Sequence, residues 1–169
     1  IFLKAENGGT TGCFFVNLPS ETFDYEVTKS LVRNVDDVER DSRLVGDDLN
    51  IDANDDYYKV AISPDFENDA VSGCIELTDF TLGSVVEQRV ISYNTLVEIS
   101  EKYDSNYEGL KEDLHFPEAF DFAIVSIDLP EIEMQGVIPD TGEIEAQDYV
   151  EEVLYENGTV INARFTLKV

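Results

Sequence analysis

Two cysteines and one histidine make up the whole supply of thiol and imidazole groups in this chain. Cys13 and Cys74 stand far apart, in neither a metal-ligand nor a redox spacing, and His115 stands alone. A zinc site needs three or four such ligands, and a thiolate nucleophile needs a neighbouring base, so neither chemistry is expected. The chemistry left to the cysteines is a disulfide with each other. It would close a loop of about 60 residues and stabilise by about 4 kcal/mol in the chain-entropy model. Two buried free thiols are the competing reading, since free cysteine is among the most buried residue types.

Oxygen ligands are far more abundant. Asp48, Asn50, Asp52, Asn54 and Asp56 place one at every second position, as a calcium loop does. An EF-hand also needs glycine at its sixth position and glutamate at its twelfth, and counting from Asp48 those places hold Ala53 and Lys59. A solvated acidic turn is the plainer expectation. No cofactor is expected, with calcium the one candidate. Asn157-Gly158-Thr159 is an N-glycosylation triplet, but Asn-Gly is also the favoured pair of a two-residue type I′ hairpin turn, which accounts for it without modification.

Enzymatic signatures are missing. The chain has no G-x-S-x-G, H-E-x-x-H, phosphate-cradling loop or G-x-G-x-x-G, and no tryptophan. With 37 Asp and Glu, some carboxylates must fall within the ~5 to 9 Å used by glycosidases, so such pairs carry no information. His115, beside Phe116 and Pro117, reads as a helix-end or packing residue. The expectation is a non-enzyme. A hydrolase using acidic residues is an alternative.

Charge sets the class. Against 37 acids stand 11 Lys and Arg, a formal net charge of -26 in 169 residues. Nucleic acids and anionic lipid surfaces are bound through cations that release counterions, so neither is an expected partner. Self-repulsion opposes the compact state in dilute buffer, and molar salt, with a Debye length of ~3 Å, removes most of that penalty. The composition suits a halophile. Disorder shares the charge signature but not the ten Phe and eight Tyr spread along the chain.

The fold expected is α+β and mostly β: short antiparallel strands, one main helix near 93–114 and a C-terminal hairpin. Residues 1–19 read as a stem, flexible over Ala5 to Gly12, and a first strand from Cys13 to Leu18 closed by Pro19. Residues 20–90 read as a β-rich half, with strands favoured around Phe23, Tyr25 and Val27, at Tyr57 to Ser63, and at Cys74 to Leu82. Residues 91–169 supply a helix and more strands, and the two halves are read as able to share one core. Leu96, Ile99, Tyr103, Tyr107, Leu110 and Leu114 recur at steps of three and four, one helical face, with Ser92 or Asn94 as cap and Gly109 as the place for a bend or break. Phe120 to Leu129 reads as a central strand, Pro130 to Gln147 as a long loop turning at Pro139 to Gly142, and Tyr149 to Tyr155 with Val160 to Val169 as the hairpin.

Ile91-Ser92-Tyr93-Asn94, Leu114-His115-Phe116-Pro117, Asp121-Phe122-Ala123-Ile124, Val153 through Gly158 and Asn162 through Val169 follow one another in an order that resembles the C-terminal part of pilin-like, membrane-tethered surface proteins of archaea. The resemblance covers about the last 80 residues. It implies a β-rich head facing outward on an N-terminal hydrophobic helix. That stem and its processing site are not in this sequence, and no run approaches the ~20 apolar residues of a membrane helix, so an anchor or signal is expected upstream of Ile1. The expected function is an extracellular structural or adhesion domain of a halophile surface protein. Its partner would be a surface protein, a glycan or another copy, with membrane contact only through the upstream segment. A secreted glycan- or calcium-binding module is a rival reading, as is a mimic of nucleic acid.

Overall fold

The computed structural model describes residues 1–5, 12–19, 29–53, 55–117, 119–134 and 144–169. The chain is α+β and mostly β. It divides into two compact units, Ile1–Gln88 with Glu156–Gly158, and Arg89–Tyr155 with Thr159–Val169. The expected strands around Phe23, the flexible stretch before Gly12 and the turn at Pro139 to Gly142 lie outside the described residues.

The first unit holds β1 (Phe2–Ala5), β2 (Cys13–Asn17), β3 (Lys29–Asn34), β4 (Glu39–Arg40), β5 (Ser42–Val45), β6 (Asp48–Asp52), β7 (Tyr57–Ser63), β8 (Ile75–Glu76) and β9 (Phe80–Leu82). One sheet runs β4-β3-β7-β1-β9 and the other β5-β6-β2-β8. Among the described residues of this unit the pairings are antiparallel except that of β2 with β8. Alternation builds the core, because successive strand side chains point to opposite faces. Phe14 and Val16 of β2, Leu49 and Ile51 of β6, Val32 of β3, and Tyr58 and Val60 of β7 are all buried in one cluster with Leu3, Leu44 and Leu77. The rings of Phe14 and Tyr58, one from each sheet, lie 5.7 Å apart. The opening residues are not all stem: Phe2–Ala5 pairs with both β7 and β9, and the Ile1 nitrogen donates to Val60 O at 2.8 Å.

Cys74 to Leu82 forms no single strand. Leu77 N donates to Phe15 O, and then the chain leaves one sheet, so that β8 pairs with β2 while β9 pairs with β1 in the other. The β3–β4 turn is organised by Asn34. Its side-chain oxygen accepts from the N–H groups of Asp36 and Val38 at 3.0 and 2.9 Å, and Asp37 takes the left-handed conformation, φ 64°.

The second unit holds β10 (Ile91–Ser92), α1 (Tyr93–Ser105), α2 (Tyr107–Asp113), β11 (Ala123–Ser126), β12 (Ala146–Leu154) and β13 (Val160–Lys168), with sheet order β10-β12-β13-β11. Leu96 of α1 packs with Val153, Ala163 and Phe165 of the sheet, and with Leu129 and Ile132. Tyr103 and Leu110 pack with Phe122, Ala123 and Met134. Among the described residues no helix is long and apolar enough to cross a membrane.

The structure corrects three sequence expectations in this unit. The helix breaks at Asn106 rather than at Gly109, because Asn106 ends α1 and caps α2, its side chain accepting from Gly109 N at 3.3 Å. The Phe120 to Leu129 strand shrinks to Ala123–Ser126 and sits at the sheet edge, not its centre. Ser126 Oγ accepts from Leu129 N and turns the chain after the strand, and Phe120 before it and Ile127 after it are both exposed. The hairpin turn is also different. Leu154 pairs with Val160 and Tyr155 N donates to Thr159 O, so the loop is Glu156-Asn157-Gly158, with Gly158 at φ 76°. A three-residue loop places its left-handed residue third, whereas type I′ would need Asn157 in that conformation too. β12 also begins three residues before Tyr149, at Ala146.

Candidate functional site

Cys13, at the start of β2, and Cys74, just before β8, form a disulfide with a Cα–Cα distance of 4.6 Å. The reading of these residues as a cystine holds. The bond sits where the parallel pairing of β2 and β8 spans only Phe14 with Ile75 and Phe15 with Glu76, a contact too short to hold by hydrogen bonds alone.

The first part of the acidic run, Asp48–Asp52, is a strand, not a loop. Asp48, Asn50 and Asp52 lie on one face of β6 because Leu49 and Ile51 between them fill the core. A strand advances ~3.3 Å per residue, so side chains two apart are spread along it and do not converge as the ligands of a loop do. Asp48 accepts from Asn17 Nδ2 at 2.9 Å, and Asn50 Nδ2 donates to the carbonyls of Arg43 and Asp48. Asp56 is exposed beyond the strand, and Asn54 lies outside the described residues. Among the described residues no group of three or more His, Cys, Asp and Glu is placed to hold a metal ion.

Asn157 is exposed at the middle of its loop, and within the first unit its carbonyl accepts from Arg33 Nη2 at 2.6 Å. His115 is a helix-end residue. With Leu114 as C-cap, His115 N donates to Glu112 O and Phe116 N to Lys111 O, the paired bonds of a Schellman motif, and His115 fills the left-handed position usually given to glycine, φ 54°.

The cluster richest in chemistry was not anticipated from the sequence. Lys111 of α2 is only 4% exposed. Its Nζ lies 3.4 Å from Asp121 Oδ1 and 5.5 Å from the ring centroid of Tyr107. The Tyr107 hydroxyl donates to the same Asp121 oxygen at 3.2 Å and accepts from Phe122 N at 2.9 Å. Phe122, itself buried, is ringed by Tyr103, Tyr107 and Phe116 at centroid distances of 5.9, 5.7 and 4.8 Å. Burial is the main cause that pushes the Tyr107 phenol up to about 12. Lys111 follows Tyr107 by four residues, so helical spacing was the available signal.

A second aromatic group is more open. Tyr93 and Tyr155 stack with centroids 4.5 Å apart, and Tyr93 OH donates to Glu131 Oε1 at 2.7 Å. That hydrogen bond raises the Tyr93 phenol to about 12 and holds the Glu131 carboxyl below its ordinary value.

No protein-family model, curated protein or solved structure matches the chain.

Proposed function

We propose that the chain is an extracellular, non-enzymatic structural or adhesion domain of a surface protein from a salt-adapted organism, with a pilin-like head as the form its C-terminal sequence resemblance implies. The observation that carries this reading is the Cys13–Cys74 disulfide. Structural disulfides persist in oxidising compartments and are rare in a reducing cytosol. The excess of carboxylates supports the salt-adapted part, since outward strand positions such as Asp48 and Asp52 alternate with core residues at no cost to the apolar interior. On this reading the partner is a surface protein, a glycan or another copy, and membrane contact comes only through sequence upstream of Ile1.

Two measurements test it. Intact mass of the protein taken from its own cells under alkylation should show neither cysteine labelled, and two labelled thiols would remove the extracellular reading. Thermal melts from dilute buffer to molar KCl should rise steeply with salt, and a flat series would remove the salt-adapted one.

The glycan-binding alternative would rest on one open aromatic group. The Tyr93–Tyr155 stack beside the Glu131 carboxylate combines an aromatic surface with a hydrogen-bond acceptor. Glycan-array binding in high salt that Tyr155→Ala abolishes would support it, and an array with no binding would count against it.

A further inference from the structure

The Lys111, Asp121 and Tyr107 side chains meet in an arrangement suited to making a bond. We propose that Lys111 and Asp121 condense into an intramolecular isopeptide bond, with Tyr107 as the group that stabilises the transition state. The amine nitrogen lies 3.4 Å from Asp121 Oδ1, an ion-pair contact that keeps it beside the carboxyl it would attack. The helix holds Lys111 almost wholly buried, so the amine has little room to leave the carboxyl.

Tyr107 is aimed by the backbone. Its hydroxyl oxygen accepts from Phe122 N, which leaves the phenolic proton to point at Asp121 Oδ1. A donor fixed in that position stabilises the negative oxygen that develops when nitrogen adds to the carboxyl carbon. The Tyr107 phenol, pushed by burial from 10.0 up to about 12, carries its proton at neutral pH as the donor role requires.

The step balances without a cofactor. One proton first passes from the Lys111 ammonium to the Asp121 carboxylate; the freed amine then attacks Cγ, a C–N bond forms, one carboxyl C–O bond breaks, and the departing hydroxyl takes a second proton from nitrogen and leaves as water. Ammonium plus carboxylate becomes amide plus water, and nothing is oxidised or reduced. The Lys111 side chain is only 5% exposed, so its ammonium carries a desolvation cost that a neutral amide does not, while the Asp121 side chain is 37% exposed. The product would tie α2 to the segment entering β11 and close a ring that unfolding cannot open.

Intact mass under denaturing, non-reducing conditions decides the question. The expected mass is one water below that of the sequence with one disulfide, and tandem fragmentation should yield a branched peptide joining positions 111 and 121. Lys111→Arg and Asp121→Ala should each restore the full mass. Tyr107→Phe should still condense, but roughly 100-fold more slowly, as removal of one transition-state donor does. Folded wild-type protein that keeps its full mass after prolonged incubation would overturn the proposal, and so would a water loss mapped to any other residue. Because the wild-type mass alone decides, a variant that fails to fold leaves the result intact.

Discussion

The Asn106 side chain caps Gly109 N, and a β-carbon on Gly109 would lie 2.3 Å from the Asn106 amide nitrogen. The glycine is therefore part of the cap: its missing side chain is the space into which the asparagine folds. Alanine in a helix is ordinarily better than glycine by about 1 kcal/mol, and losing an asparagine cap costs about the same. Gly109→Ala in the natural chain should gain nothing or lose stability. In an Asn106→Ala background the same substitution should stabilise by about 1 kcal/mol. Denaturant unfolding of the four proteins reads the coupling, and equal effects of Gly109→Ala in both backgrounds would sink this account.

His115 raises the opposite case, a non-glycine residue in a glycine position. A left-handed backbone costs an L-residue about 1 to 2 kcal/mol, and glycine gives part of that gain back through its more flexible unfolded chain. The side chain contributes a contact of Nδ1 with Asp113 O at 3.1 Å, exposed to water. His115→Gly should therefore raise stability by about 1 kcal/mol with the Schellman bonds unchanged. A loss of stability would mean that the imidazole does more than end the helix.

These two positions show what the sequence could convey. The helical face from Leu96 to Leu110 was legible because 3.6-residue periodicity is a property of side-chain placement alone. The break was not, since glycine announces a propensity penalty while the actual stop came from a cap formed by an asparagine with no special pattern around it. Once the helix restarts at Asn106, its phase shifts, so Lys111 turns inward and Leu114 is left 45% exposed. The same limit applies at Cys74 to Leu82, whose apolar pattern reads as one strand although the chain crosses between sheets after Leu77. The disulfide was legible because two cysteines have only one mutual pairing. The Lys111 cluster depends on Asp121, which reaches the helix through tertiary packing that periodicity does not encode.

Three phenols should titrate together near pH 12. Desolvation raises Tyr58 and Tyr107, and the Glu131 hydrogen bond raises Tyr93, each from 10.0 to about 12. Their folded values exceed the unfolded one, so the stability they carry is complete below pH 10.0 and is lost as pH rises through about 12. Glu131 has the opposite sign. Its folded value is depressed, so its contribution is present above the usual carboxylate range and disappears as pH falls through that folded value. Phenolate absorbance should show this delayed titration, and Glu131→Gln should return one phenol toward 10.0 while leaving Tyr58 and Tyr107 in place. No change in that variant would show that the Tyr93–Glu131 bond is absent in solution.

Asp52→Lys separates charge repulsion from a metal role on the outward face of β6. Asp52 is exposed at the end of the strand, on the face it shares with Asp48, and the chain carries 37 acids against 11 bases. If those acids only repel one another, Asp52→Lys should stabilise the protein in dilute buffer by about 0.5 kcal/mol, the scale of an exposed charge interaction. The gain should vanish in molar salt, where screening acts within ~3 Å. If Asp52 instead helps to hold calcium, the natural chain should melt higher with calcium than with chelator, and Asp52→Lys should erase that difference. Strand geometry favours the first outcome, because positions 48, 50 and 52 are spread along an extended backbone rather than wrapped around a point. Melts of both proteins in chelator, in calcium and in molar KCl distinguish the two cases.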